Sequence, residues 1–349
     1  MKMSVERESF GIMPDGKEVF KYIITNNNEI SAEILTLGAT LCTFYAEDKN
    51  GELRDVLLGF DTLEEYLEKW DYQGATVGPV CNRIGGATIN VGEKRYEVTA
   101  NENGDTCLHS GGLFTNAVWN AIVTDADSVE FSLTVPDGSN GFPGEIKASV
   151  TYRLDDKNAL HIKYDAVSTR DTYLNFTNHA YFNLDGVSDG DILGHSLMID
   201  SDGLTAVDEK SIPTGEILPL EGTPFDFTSP RKIGLSINDA DRQLELTGGY
   251  DHNFSIKGYN GKLKKCCEAE AAESGIKMNV YTDLPGVQFY AGNFLKGVPG
   301  KNGIPMNKRG GFCLETQYFP DCMHHENFIN CLFKAGEHYR SETVYEFSL

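Results

Sequence analysis

Apolar and polar residues alternate with a period of two along most of the chain. In EVFKYIITNNNEISAEILTLG, residues 18–38, Phe20, Tyr22 and Ile24 share one side, the chain turns at Asn26–Asn28, and Ile30, Ala32 and Ile34 resume the pattern. This is the mark of half-buried antiparallel strands. SVEFSLTV, GEIKASVTYRL and NALHIKYDAV form a second run, separated by PDGSNGFPG and DDKN, both rich in turn residues. GIKMNVYTD, VQFYAGNF and TVYEFSL carry the alternation to the C-terminal end. Helical signal is sparse. DTLEEYLEKW predicts a short helix with Thr62 as N-cap and Glu65 closing a capping box. LKKCCEAEAAESG has helical propensity, but the strands around it leave strand or loop open. Short, regularly spaced strands with few helices predict an all-β chain, one large antiparallel β-sandwich forming a single domain over residues 1–349.

Charge narrows the partners. The chain has 349 residues, with 30 Lys and Arg against 52 Asp and Glu, a net charge of −22. A phosphate backbone or an anionic membrane needs clustered base, so neither nucleic acid nor membrane is expected as a partner. No apolar run reaches the ~20 residues of a membrane span. MKMSVERESFGIMPDG lacks an apolar stretch of signal-peptide length, so a cytoplasmic location is expected. The eight cysteines show no metal-type spacing and read as reduced, mostly buried thiols. Two glycosylation sequons begin at Asn175 and Asn253, both among bulky apolar residues where a glycan would disrupt packing.

Polar side chains set in apolar, glycine-rich surroundings are the candidates for chemistry. If GFCLETQYFP is a strand, Cys313, Glu315 and Gln317 share one face and Phe312 and Leu314 the other. GGYDHNFSI supplies Asp251, CLHSGG supplies His109, GPVCNRIGG supplies Asn82 and Arg83, PGVQFYAGNF supplies Gln288, and NFTNHAYFNLDG supplies His179. Each also has a structural reading. His179 suits a hydrogen-bonded core histidine, and Arg83 with Asp251 suits an ion pair. His324–His325 reads as an exposed polar loop, because no third ligand stands at metal spacing.

As a set, GATVG with NRIGG, LHSGG, NFTNHAYFNLDG, IPTGEILP, GYDHNF, PGVQFYAGNF and GFCLETQ resemble, in order, the motifs of the aldose 1-epimerases, also called galactose mutarotases. The resemblance covers essentially the whole chain. It implies the galactose-mutarotase-type β-sandwich and interconversion of the α and β anomers of free aldohexoses such as D-galactose and D-glucose. Ring opening, C1–C2 rotation and reclosure would proceed without metal or other cofactor. It also implies His179 as general acid, Glu315 as general base, and Asn82, Arg83, His109, Asp251 and Gln288 as sugar-binding residues, in a monomer or homodimer. Two departures, Pro79 for an arginine and Leu113–Asn116 for GFDK, are expected to reshape the rim of the site. For His179 to stay protonated near neutrality, a carboxylate such as Asp251 is expected to shift its pKa upward. Rival readings are a hexose-6-phosphate epimerase, a non-catalytic sugar-binding module and a glycosidase. The first calls for additional cations, the second would not need both His179 and Glu315, and the third requires two carboxylates flanking one bond.

Overall fold

Three sheets account for the long alternating segments. The computed structural model describes residues 3–69, 71–188 and 190–349. Nine strands form the largest sheet, in the order Asn120–Asp125, Ser128–Val135, Ile146–Leu154, Ala159–Ser168, His338–Ser348, Lys277–Thr282, Lys264–Glu270, Ser196–Ile199 and Arg231–Lys232, with antiparallel pairing throughout. The first five strands, from Ser4–Ile12 to Leu53–Asp55, pair in sequence order as a second sheet. The third sheet runs Pro213–Leu218, Ser201–Val207, Asp251–Ile256, Gly286–Tyr290, Cys313–Gln317. The all-β reading therefore holds.

The sheets share one core, which makes the arrangement a sandwich. The last strand, His338–Ser348, sits inside the nine-stranded sheet and turns Tyr339, Ser341, Thr343, Tyr345 and Phe347 inward. Phe347 stacks on Phe44 of the N-terminal sheet with ring centroids 4.2 Å apart. Tyr22 meets Phe131 edge-on at 5.7 Å. The Tyr345 hydroxyl donates across to the Leu314 carbonyl of the third sheet at 3.0 Å. Buried hydroxyls of this kind need a partner, and this one ties two layers together.

The short helix forms over Leu63–Lys69 and buries Leu63 and Tyr66. Its capping box is present in a shifted form: the Glu65 N–H donates to Thr62 Oγ1 at 3.3 Å, and the Glu65 carboxylate accepts from the Asp61 N–H at 3.2 Å. Trp70, the end of the predicted segment, lies outside the described residues. The ambiguous LKKCCEAEAAESG segment is strand Lys264–Glu270, because sheet neighbours on both sides claim its backbone groups. A six-residue helix, Arg242–Thr247, went unread. It is too short to show a period, and the Asp241 side chain caps it by accepting from the N–H groups of Gln243 and Leu244. Among the described residues no helix is long and apolar enough to cross a membrane. All eight cysteines are buried and free.

Phe44 is fully buried where the N-terminal and nine-stranded sheets meet. Phe44→Ala should lower unfolding free energy by about 3–5 kcal/mol, the usual cost of an aromatic cavity. Urea denaturation checks this, and a loss below about 1 kcal/mol would show that the two sheets do not depend on this contact.

Candidate active site

Strand register builds the floor of a cleft. In the third sheet, Asp251 lies opposite Tyr290 and Asn253 opposite Gln288. Across the next ladder, Gln288 faces Glu315 and Tyr290 faces Cys313. Side chains alternate along a strand, so Asp251, Asn253, Gln288, Tyr290, Cys313, Glu315 and Gln317 all fall on one face. The opposite face turns Phe254, Val287, Phe289 and Leu314 into the main core. Glu315 is 2 % exposed.

The polar face is cross-linked. Gln288 Nε2 donates to Asp251 Oδ1 at 2.7 Å, and Gln317 Nε2 reaches both Gln288 Oε1 and Asn253 Oδ1 at 3.3 Å. Gln288 therefore stands behind Asp251 and is absent from the residues lining the cleft.

His179 arrives from the opposite side. It follows Thr177–Asn178, which pairs with Thr76–Val77. Its N–H donates to the Ala75 carbonyl and its carbonyl accepts from the Gly74 N–H, both at 2.9 Å. Gly74 must be glycine: φ is +72° and an added Cβ would stand 2.0 Å from the Leu41 carbonyl oxygen. The result brings His179 Nε2 to 3.7 Å from Glu315 Oε1, with Cys313 Sγ 3.5 Å from His179 Nδ1. The second carboxylate oxygen of Glu315 is buried with no hydrogen-bond partner among the described residues.

Two loops close the cleft. Asn82 and His109 both adopt left-handed backbone, with φ of 58° and 50°. Such strain persists only where the surroundings fix it. Here the Asn82 N–H donates to His109 Nδ1 at 3.2 Å, and the His109 N–H donates to the Asn82 carbonyl at 2.9 Å. His109 is thereby held as the neutral ring with its proton on Nε2. Arg83 is gripped bidentately by Glu102, at 2.7 and 2.8 Å, rather than by Asp251. Asp321 braces this loop from behind, accepting from the Gly85 N–H at 2.9 Å, and His324 Nδ1 bonds Asp321 at 2.7 Å. His324 is exposed and His325 half-buried, in keeping with the reading of His324–His325 as a polar loop, and His324 also supports Asp321.

The cleft, of about 160 Å³, is lined by Asn82, Arg83, His109, His179, Asp251 and Glu315, with Tyr72, Tyr181, Tyr290, Phe294, Asp71, Glu102 and Leu108. Glu102 and the aromatics escaped sequence reading. ANENGDT looks like any solvated turn, and tyrosines among strands look like core. Pro79 is buried away from the lining, its carbonyl accepting from the Asn175 N–H at 2.7 Å. Thr115 and Asn116 line an adjoining cavity that shares Asp71 and Tyr72 with the cleft. Both sequons are sealed, Asn175 and Asn253 being 1 % exposed.

Burial dominates the electrostatics. It pushes the His179 imidazole down to about 4. It pushes the Glu315 carboxyl well above the usual range, with the Asp251 charge adding to the effect and Arg83 opposing it. Asp251 is itself raised by burial, against the pull of Arg83 and Gln288. His109 is lowered by burial, then by His179 and Arg83. The expected upward shift of His179 is therefore reversed. Asp251 stands nearer in effect to Glu315, and loss of water outweighs any attraction it offers the imidazolium.

The family model for aldose 1-epimerase matches residues 21–346. Galactose mutarotase from Bos taurus is 40% identical over 349 residues, 99% of each chain. Aldose 1-epimerase from Escherichia coli (strain K12) is 33% identical, covering 97% of this chain and 98% of the other. Among solved structures, the GalM/aldose epimerase homologue from C. elegans superposes with a TM-score of 0.86 at 31% identity, over 98% of this chain and 99% of the other.

The histidines should separate by protonation. His179, His195 and His252 are lowered by burial to about 4, about 4 and about 3, while His161 and His324 are raised by their carboxylate partners Glu342 and Asp321. At about pH 5.5, below the free-histidine value of ~6.5, ring ¹⁵N shifts should show the first three neutral and the last two charged. A charged His179 at that pH would overturn the burial account.

Proposed function

The chain belongs to the aldose 1-epimerase family and is an isomerase, a mutarotase of hexoses; on that premise we propose that His179 and Glu315 form the acid–base pair that opens and recloses the sugar ring. The observation that carries the proposal is their 3.7 Å separation in a cleft that both side chains line. Mutarotation acts on two oxygens bonded to one carbon: the C1 hydroxyl loses a proton while the ring oxygen gains one. An acid and a base this close address both without an intervening water.

The pair shares one proton. In one arrangement Glu315 is protonated and His179 neutral; in the other Glu315 is ionised and His179 charged. The second opens the ring. Glu315 takes the C1 hydroxyl proton, His179 gives its proton to the ring oxygen, and the C1–O bond breaks to leave the aldehyde. The pair is then in its first arrangement, and rotation about C1–C2 exposes the other face of the carbonyl. Reclosure returns both protons in reverse. Burial favours the first arrangement in the unliganded cleft. A sugar hydroxyl donating to the Glu315 carboxylate favours the second, since hydrogen bonds to a carboxylate stabilise its charged form.

Asn82, Arg83, His109 and Asp251 hold sugar hydroxyls in this reading, with Gln288 fixing Asp251 from behind. His109 serves as a neutral donor through Nε2. The substrate is a free aldohexose. Among the described residues the cleft lining has one arginine and four carboxylates, and that arginine is already paired with Glu102, which suits a neutral sugar better than a sugar phosphate. We place the reaction in the cytoplasm, in a single-domain chain acting as monomer or homodimer without nucleic acid, membrane or cofactor. The eight free, buried thiols and the net charge of −22 support this setting.

Glu315→Gln keeps shape and removes the base. Polarimetry on freshly dissolved α-D-galactose and α-D-glucose should show kcat at least about 10²-fold lower with KM nearly unchanged. Near-normal turnover would remove Glu315 from the mechanism.

The pH profile follows from the shared proton. As pH falls through about 4, His179 takes a second proton and activity is lost. As pH rises past the elevated Glu315 value, the pair empties and activity is lost again. The upper limb thus reports loss of the proton from the pair, with Glu315 as its main holder. Asp251→Asn removes the neighbouring charge that helps Glu315 keep its proton, so kcat/KM should lose its upper limb at lower pH. An upper limb that stays in place would contradict this.

A further inference from the structure

Among the described residues, His179, Cys313 and Glu315 are the one group of three His, Cys, Asp or Glu side chains with a donor atom from each within 4.8 Å of the others. All three are buried. Cys313 and Glu315 share a strand face, and Cys313 lies 134 residues along the chain from His179, so no spacing motif announces the set. Imidazole, thiolate and carboxylate together make a zinc-type donor set, and the thiolate turns the preference away from magnesium and calcium. Tetrahedral zinc holds such donors about 3.3–3.7 Å apart. Cys313 Sγ stands 3.5 Å from His179 Nδ1, and Glu315 Oε1 stands 3.7 Å from Nε2. Two edges of a tetrahedron are thus already near length, though they run to different ring nitrogens. The ion takes one nitrogen, and the donor on the other side closes by no more than about 1.5 Å through side-chain rotation.

A second observation points the same way. Glu315 is 2 % exposed, and its Oε2 is buried without a hydrogen-bond partner among the described residues. A buried carboxylate oxygen in that state lacks a donor or a cation. His179 and Glu315 also line the cleft, which gives an ion a way in and a water its place as fourth ligand. Asp71, Glu102, Asp251 and Glu315 make the lining acidic, and Glu102 already holds the guanidinium of Arg83. Such a lining draws cations toward the cleft.

We infer that His179, Cys313 and Glu315 form an inhibitory zinc site, which binds one Zn²⁺ through the three side chains and a water. The ion displaces the thiol proton and the one proton that the pair shares, both to solvent, so the buried site exchanges two positive charges for two. Bound there, it occupies the groups that move protons at the C1 hydroxyl and the ring oxygen. That blockade rests on the reading of His179 and Glu315 as the acid–base pair; the binding does not. Sugar and ion compete for the same atoms.

The test uses the full chain, freed of metal with EDTA, dialysed, and titrated with Zn²⁺ by calorimetry. One ion should bind per chain, and saturating D-galactose should weaken it by about 10-fold or more. In polarimetry, Zn²⁺ should raise the KM for D-galactose and leave kcat within about 2-fold of the metal-free value. Co²⁺ in place of zinc should give the visible bands of a tetrahedral site and a near-ultraviolet thiolate charge-transfer band. Cys313→Ser should abolish the thiolate band and weaken zinc by about 10-fold or more. Cys322→Ser, which removes the other close sulfur contact, with Cys331 at 3.3 Å, should keep both. No zinc binding, or zinc binding that Cys313→Ser leaves intact, would overturn the site. Zinc bound in the parent with turnover unaffected would uphold the site and overturn the acid–base roles of His179 and Glu315. Should Cys313→Ser not fold, the parent carries the test: a cobalt spectrum that lacks the thiolate band, or one that D-galactose leaves unchanged, would overturn the inference.

Discussion

Loss of water around Glu315 is the constraint on which the rest of the structure turns. A carboxyl 2 % exposed, with one oxygen unpartnered among the described residues, destabilises the fold by about 1–3 kcal/mol for that oxygen alone. The same burial drives its pKa up and that of His179 down, until the two groups hold one proton between them. A hydrated pair would instead sit as two separated charges. Desolvation thus reverses the ordinary order of proton affinity between a Glu and a His, so that Glu315 is the holder of the proton in the empty cleft.

Such a pair persists only if its surroundings are rigid and otherwise satisfied. The hydrogen bonds from Gln317 through Gln288 to Asp251 tie the three strands together on the cleft face of the sheet. The opposite face is apolar and packed, so the strand cannot roll to bring Glu315 into solvent. Across the cleft, the strained Asn82 and His109 are locked by reciprocal bonds, and Glu102 fixes the guanidinium of Arg83. Asp321 and His324 hold that loop from outside. The acidic lining explains why Arg83 is best committed to Glu102: a free guanidinium would draw Glu315 toward its charged state.

Strand alternation was legible from residues 18–38, 128–168 and 343–349, because a period of two with turn residues between segments has one simple interpretation. So was the strand face shared by Cys313, Glu315 and Gln317. The motifs around His179, Arg83, His109, Asp251 and Gln288 stood out as polar groups in apolar surroundings, and those residues do meet at one cleft and its floor. Glu102, Tyr72 and Tyr181 left no such signal. An acidic residue in a polar turn reads as solvated, and a tyrosine among strands reads as core. Asn82 and His109 gave no hint of their positive φ, since neither motif requires it locally.

The sequence by itself determined the strand content, the alternation of faces and the family resemblance, because these depend on residue type and near-neighbour order. Tertiary structure decided the rest. Whether Glu315 lies beside His179 depends on the register between three strands and on Gly74 holding a distant segment close. The sign of the His179 shift depends on how much water the assembled layers exclude and on Asp251 lying closer in effect to Glu315 than to the imidazole. No spacing along the chain encodes either quantity, because both are sums over neighbours that only folding brings together.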